Sequence, residues 1–501
     1  MNQSRFVLAG IALLAAVQLR HAAAVHLNAD EALIYLLANQ NTISDALAMT
    51  RANAHPPLLT LLLMGWSRIS TSEVFLRLIP ILANAALLWF TYRWASLAVG
   101  RTAGVLLTAT LAFLPPVFAL ASELRHYSLL LAGIAASWWT MEEAFHRKSP
   151  RWIAISAGCL SLALLSHFSA LFAIAGAGLY ALYQLRHRGW PRNLLLPWAT
   201  GQAGLLVVLA LLASQLLSLR GSAMAREVRS TWLAGLQCNA GDLGCTVSKL
   251  PPLLEFFFAT WWLGAIAGLS ALAGLTLLAR DAQRRGVALL LGTTILTTLA
   301  AVTAGEYPLG ASRHSVVIAY ALAATSIAVP AQWLEKRPKL LLPAVAGVAA
   351  LLLLLPSNDG QGMPEREQRR EFMTDAIAYL RNSVPRGGLV FTDYQAAMLL
   401  CYYWNPRQVC SDRANGPLLE FDLGDLRIAS ARTWSLDPTP FAQELQNLKR
   451  QFNLSRGAEV WVFDAGWGSP VNRPLAVQFG GTEWPGLQEF GEHIGAFRIP
   501  N

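Results

Sequence analysis

The stretch "FVLAGIALLAAVQLRHAAAVHLNADEALIYLL", residues 6–37, decides how the rest of the chain is read. It opens on an apolar run long enough to cross a bilayer. It then places two adjacent carboxylates, Asp30 and Glu31, just beyond that run. The run reads as a retained membrane anchor. The other reading is a signal-peptide core ending at the small residues Ala22–Ala24, and the run is long for such a core. Both readings put residue 30 outside the cytoplasm.

The same apolar texture continues. Of the 501 residues, 54% are hydrophobic and 14% charged. Soluble chains carry about 25% charged residues, so the deficit points to a polytopic membrane protein. Spanning-length runs fall near 6–25, 74–92, 103–121, 127–145, 152–166, 169–185, 194–218, 256–279, 287–304, 314–330 and 340–356, about eleven in all. The short run "PPLLTLLLMGW" (56–66) is too brief to span and reads as an interfacial helix. The net charge of +9 does not indicate nucleic acid. Its Lys and Arg punctuate apolar runs and form no basic stripe with interleaved aromatics.

Those charges orient the chain. With the N-terminus in the cytoplasm, the turns "RWASLAVGR" (93–101), "HRKSPR" (146–151), "RHRGWPR" (186–192), "RDAQRR" (280–285) and "EKRPK" (335–339) also fall there. All are basic, as the positive-inside rule requires. The outer side receives Asp30, Glu31, the loop 219–255 and everything after 356. It also receives Arg77, Arg125, Arg220, Arg226, Arg229 and Arg313, which need a reason other than orientation. The expected location is a bacterial inner membrane, with the C-terminal part outside the cytoplasm.

At "PSNDGQGMPEREQRR" (356–370) the apolar texture ends. Residues 1–356 therefore read as a transmembrane domain and 357–501 as a soluble α/β domain. In the latter, 365–384 and 439–452 read as helices. "GGLVFTDY" and "AEVWVFDAGW" read as buried strands. Of five cysteines, Cys159 lies inside a span. Cys238 with Cys245, and Cys401 with Cys410, form local pairs on the outer side, where disulfides form.

Taken alone, the acid pair reads as a helix start, with Asp30 as N-cap and Glu31 in the first turn. It is not alone. His55 opens "HPPLL", Arg77 lies in "FLRLIP", Arg125 and Tyr127 in "ELRHYSLL", His167 in "SHFSALF", and Tyr307, Arg313 and His314 in "EYPLGASRH". Each sits at the outer end of a span. One arginine there would be a snorkelling anchor; several polar clusters on one side look like the wall of a site. Arginine matches phosphate with a planar fork, and a carboxylate serves as general base on a hydroxyl or amine. Asp30, Glu31 and His55 also offer ligands for a divalent ion, although their spacing fits no metal motif.

These pieces resemble the GT-C membrane glycosyltransferases, and within them the protein O-mannosyltransferase-like group with its bacterial envelope relatives. The likeness runs over roughly residues 1–330. It implies a mainly α, GT-C-like membrane domain that moves a sugar from a polyprenyl-phosphate donor to a lipid, glycan or protein acceptor. It implies Asp30 as catalytic base, with Glu31 as the second acid. Arg77, Arg125 and Arg313 would take the donor phosphate. His55, Tyr127, His167, Tyr307 and His314 would contact substrate. "HPPLLT" lacks the "GK" that follows HPPL in the eukaryotic members, which weighs against a protein acceptor. The rival function is a transporter or flippase of lipid-linked sugars. Transporters hold ionisable groups at the bilayer midplane, often in inverted repeats. Here those groups fall at span ends and no repeat is visible.

Overall fold

The computed structural model describes residues 3–53, 55–219, 230, 233–354, 367–410, 416–455, 459–466, 470–480 and 486–499. Arg220, Arg226, Arg229 and most of the compositional break at 356–370 lie outside the described residues.

Among the described residues each apolar run read from the sequence is mostly helical, some of them in two pieces. Six helical stretches among the described residues are long and apolar enough to cross a membrane: Gln3–Ala24, Glu73–Ala98, Arg192–Leu217, Trp261–Arg280, Arg285–Thr303 and Arg313–Glu335. Arg101–Phe113, Pro150–Ser166 and Pro338–Leu354 are apolar but shorter. This is a multi-pass membrane protein, and among its described residues several of the other apolar runs are broken or shorter. One of these breaks has a local cause. Proline in the first turn opens a separate short helix, Pro115–Leu120, after Phe113. "PPLLTLLLMGW" is a short helix, Leu58–Trp66, as its length requires.

The chain divides into two compact units. The first comprises residues 1–18, 50–59 and 78–360. Aromatics fill its centre: Trp138 stacks on Tyr320 with ring centroids 5.0 Å apart and meets Trp94 at 4.9 Å. Its helices approach closely through small residues. A Cβ on Gly176 would lie 2.5 Å from the Leu290 carbonyl oxygen, so only glycine lets helix Ala170–His187 meet helix Arg285–Thr303 there. Exposed leucines and valines, among them Leu206, Val207 and Leu211, line the outside of helix Arg192–Leu219. Lipid tails would cover such a surface. Cys238 is bridged to Cys245.

The second unit comprises residues 19–49, 60–77 and 361–501. It is organised by a six-stranded sheet in the order β2-β3-β1-β4-β6-β5. The strands are β1 Gly388–Thr392, β2 Leu419–Asp422, β3 Leu426–Ser430, β4 Val460–Asp464, β5 Gln488–Glu489 and β6 Gly495–Ile499. The central trio β3-β1-β4 is parallel and the flanking pairs are antiparallel. Strands β1 and β4 are apolar on both faces, as buried parallel strands are. Helices Arg370–Ser383 and Pro438–Gln451 match the amphipathic stretches in the sequence. Helix Tyr394–Trp404 does not announce itself, because it is buried nearly all round and has no polar stripe.

The units do not follow the break in composition. Residues 19–49 and 60–77 pack with the C-terminal part, through polar bonds between segments far apart in sequence. The Tyr35 hydroxyl donates to the Pro406 carbonyl, and Asn39 Nδ2 donates to the carbonyls of Pro406 and Gln408 at 3.1 and 2.8 Å. Tyr402 meets Tyr35 edge-on at 5.0 Å and donates to the Thr71 carbonyl at 2.7 Å.

The Cys401–Cys410 bridge closes the loop that carries Pro406 and Gln408. A loop of this size confers about 2–3 kcal/mol by restricting the unfolded chain. The Cys401→Ser/Cys410→Ser double variant should therefore unfold at lower denaturant by an amount of that order. Non-reducing peptide mapping should recover both native bridges.

Candidate functional site

The acid pair opens helix Ala29–Ala38. The helix is capped by Asn28, not by Asp30 as the sequence suggested. Asn28 is extended, at φ −81° and ψ 170°, and its side chain accepts from the Glu31 N–H at 2.9 Å. Glu31 Oε2 returns the bond, accepting from the Asn28 N–H at 3.0 Å. This is a reciprocal capping box with Asn in place of Ser or Thr. Asp30 falls in the first turn and is partly exposed, where the positive end of the helix favours its charge.

Glu31 is fully buried, and so is its partner Arg77. Arg77 Nε and Nη2 donate to the two Glu31 oxygens at 2.8 and 2.6 Å. Its remaining N–H groups donate to the carbonyls of Ala22 at 3.1 Å, Val25 at 2.8 Å and His26 at 2.9 Å. A guanidinium has five donors, and all are taken inside the fold. Arg77, read from the sequence as a phosphate ligand, instead ties the exit of the first span to the start of the acid helix.

One helical turn before Arg77 stands Glu73, also buried. It accepts from the Tyr403 hydroxyl and pairs with Arg370 at 2.6 Å. Tyr403 in turn accepts from the Leu27 N–H at 2.7 Å. The sequence reading missed Glu73, Tyr403 and Arg370. The i, i+4 spacing of Glu73 and Arg77, which puts both on one helix face, was the available signal. His26 completes this cluster. Its Nδ1–H donates to the Leu27 carbonyl at 2.6 Å, and burial lowers the imidazole from 6.5 to about 4.

The second cluster lies in the other unit. His55 stacks on His126 with centroids 4.7 Å apart, and its carbonyl accepts from Gln215 Nε2 at 2.8 Å. Tyr127 lies 5.3 Å from His167 and 6.1 Å from His314, and the two histidines are 6.3 Å apart. The Tyr307 hydroxyl donates to the His314 carbonyl. Arg313 pairs with Glu123 at 3.2 Å, and Arg125 is buried. His167 Nδ1 accepts from the Ser169 N–H at 3.2 Å. A neutral His167 must then carry its proton on Nε2, which fixes that nitrogen as a donor. Every residue that the sequence singled out from His55, Arg125, Tyr127, His167, Tyr307, Arg313 and His314 is in this unit, while Asp30, Glu31 and Arg77 are in the other. His126 and Glu123 were quoted in the sequence motif without a role. Among the described residues no group of three or more His, Cys, Asp or Glu is arranged to hold a metal ion.

A second acid pair went unnoticed in the sequence. Asp393 follows β1 and caps helix Tyr394–Trp404, accepting from the Ala396 N–H at 2.7 Å, and Asp464 ends the neighbouring strand β4. Burial raises Asp464 from 3.8 to about 6; burial, and then Asp464, raise Asp393 well above its ordinary range. In a sheet of this topology these strand ends mark the switch point between the two directions of crossover.

A model of the family described as dolichyl-phosphate-mannose-protein mannosyltransferase matches residues 54–216. Among solved structures, ArnT from Cupriavidus metallidurans bound to undecaprenyl phosphate matches 98% of this chain and 97% of its own, at 13% identity and a TM-score of 0.56. The archaeal oligosaccharyltransferase AglB from Archaeoglobus fulgidus, in complex with an inhibitory peptide and a dolichol-phosphate, matches 92% of this chain and 69% of its own, at 13% identity and a TM-score of 0.52. The chain has the fold of the GT-C membrane glycosyltransferases. No curated protein matches it in sequence. The GT-C likeness to ArnT extends along nearly the whole chain, so it includes the C-terminal sheet region as well as the helices.

Two predictions follow from the acid-helix cluster. Arg77→Lys leaves Glu31 and several carbonyls underpaired in a buried place, where breaking a buried ion pair costs about 3–5 kcal/mol. Denaturation should show a loss of that order. The second concerns pH. His26 takes a proton in the unfolded chain below about 6.5 but in the folded chain only near 4. The unfolded state binds more protons between these values, so this contribution is present above 6.5 and is lost as pH falls through the window. Melting curves from pH 7 to 4 should fall less steeply for His26→Gln than for the wild type.

Proposed function

We propose that this protein is a glycosyltransferase that moves a sugar from a polyprenyl-phosphate donor to an envelope acceptor at the outer face of a bacterial inner membrane. The observation that carries the reading is the state of the acid pair. Glu31 is buried and paired with Arg77, while Asp30, one residue earlier, is partly exposed in the first turn of the same helix. The pair thus divides into a buried positioning acid and one that is partly exposed.

In this mechanism Asp30 takes the proton from an acceptor hydroxyl or amine. The acceptor attacks the anomeric carbon, and the bond from that carbon to the phosphate oxygen breaks. The electron pair leaves with the polyprenyl phosphate. Arg125 and Arg313 neutralise the charge that develops on it, and a histidine with Nε2–H, such as His167, donates a hydrogen bond to it. His55, Tyr127, Tyr307 and His314 shape the substrate wall. Arg77 acts through Glu31, holding the helix that carries Asp30. ArnT and AglB were each determined with a polyprenyl-type phosphate bound, which supports a donor of that class. The run of basic turns supports a cytoplasmic N-terminus and an extracytoplasmic C-terminal region. A lipid or glycan acceptor suits the chain better than a protein, given the missing "GK" after HPPL.

Asp30→Asn tests the reading. Asn28 is the cap, so the substitution leaves the capping box intact, and the melting curve should be close to wild type. Turnover of a polyprenyl-phosphate sugar by purified protein should fall by about 10²- to 10⁴-fold, the usual worth of a general base. Near-normal turnover would remove Asp30 from the chemistry.

A further inference from the structure

A cleft of about 640 Å³ lies in the membrane unit, at the opposite ends of helices Tyr127–Arg147 and Ala170–His187 from Tyr127 and His167. Its walls are the C-terminal turns of helices Glu73–Ala98, Tyr127–Arg147 and Ala170–His187 and the start of helix Arg285–Thr303. These are the helix ends that carry the basic turns. Helix C-termini expose carbonyls and partial negative charge, and Arg or His there offsets it. That accounts for basic residues in the lining. It does not account for a carboxylate.

Glu142 is that carboxylate. It is bonded by the Tyr180 hydroxyl, which itself accepts from Gln184 Nε2 at 3.1 Å. Its Oε1 is buried and has no hydrogen-bond partner. A buried acceptor left unpaired costs free energy, and native structures almost always fill it. Around the same cleft stand three guanidinium groups. Arg188 lies 5.1 Å over the Phe145 ring and bonds Gln184. Arg284 is shared with Asp281 at 3.5 Å, and Arg285 bonds the Ala279 carbonyl through Nε alone.

The cleft therefore asks for a donor at one point and an anion at others. A simple anion would leave Glu142 unanswered and face its charge. A simple cation would leave the arginines unanswered. An ammonium on a short tether from a phosphate answers both. Leu97, Val99 and Val287 give the lining an apolar side as well, which suits the glycerol end of a lipid. Basic pockets between spanning helices are known places for phospholipid headgroups.

We propose that this cleft binds the headgroup of an aminophospholipid of the phosphoethanolamine type, with the ammonium on Glu142 and the phosphate among Arg188, Arg284 and Arg285. The same chemistry is present in soluble phosphoethanolamine, so the test separates the two sources. Delipidated protein is incubated with phosphatidylethanolamine, phosphatidylglycerol or phosphatidylcholine, and retained lipid is read by native mass spectrometry. Wild type should retain phosphatidylethanolamine about 10-fold better than either of the others, the worth of one charge-assisted hydrogen bond. Glu142→Gln should abolish the preference over phosphatidylglycerol. Arg285→Gln, at an exposed position, should weaken retention of both and keep a wild-type melting curve, so the proposal survives a Glu142 variant that fails to fold. Equal retention of the three lipids by wild type, or retention unchanged in the Arg285 variant, overturns the proposal. Displacement of the lipid by micromolar soluble phosphoethanolamine overturns the lipid source and assigns the cleft to the free compound. None of these readouts depends on glycosyl transfer, so they stand or fall separately from the proposed activity.

Discussion

The buried pairing of Arg77 with Glu31 is the constraint on which the acid helix depends. A charge taken out of water is tolerated only where its lone pairs and protons are met. Here they are met without remainder on the arginine side: two bonds go to one carboxylate and three to carbonyls at the exit of the first long helix. Those carbonyls follow a helix end and would otherwise be orphans. The carboxylate meanwhile closes the capping box of the next helix. One side chain thus joins a helix end to a helix start, and the segment between them, Val25 to Asn28, has little freedom left. Asp30 inherits that rigidity at no cost to its own exposure.

The surrounding network extends the same logic. Glu73 lies one turn from Arg77 and receives Tyr403 and Arg370 from the C-terminal part of the chain. The backbone adds its own links, with the His26 N–H donating to the Gln368 carbonyl at 2.9 Å and a single bridge between Val25 and Arg369. These bonds explain why residues just after the first span belong to the same unit as the sheet. Beside the apolar core of the sheet, these polar links are individually modest, and most of their members are buried, where each lost partner exposes the next to an unpaired state.

The histidine cluster shows a different strategy. Its rings lie against one another and against Tyr127, and a backbone N–H of a serine fixes the protonated nitrogen of one neutral ring. Ser169 does this for His167, and Ser312 contacts His314 Nδ1 at 2.8 Å. Neutral imidazoles of fixed tautomer act as directed donors without adding charge. The arginines nearby carry the charge instead, and Glu123 holds one of them.

The sequence by itself determined the helical membrane part. Apolar runs of spanning length need their backbone bonds met internally, and only helices do this in lipid. It also determined the paired cysteines, two of the strands and the amphipathic helices, since period and bracketing turns are local properties. It marked Asp30, His55, Arg125 and the other polar residues at helix ends, because a charge in that position is rare enough to notice. Only the tertiary structure decided what each does with its neighbours. The sequence could not show that Arg77 faces Glu31, because the two are brought together by a fold in which five carbonyl and carboxylate oxygens converge on one fork. Nor could it show that Asn28 is the cap, since Asn28 and Asp30 are comparable caps and the choice fell to the one whose partner three residues on, Glu31, was already held in place. Strand order, the hidden helix Tyr394–Trp404 and the unpaired Oε1 of Glu142 were out of reach for the same reason. Burial on all sides erases periodicity, and partnership across the chain leaves no mark in local sequence.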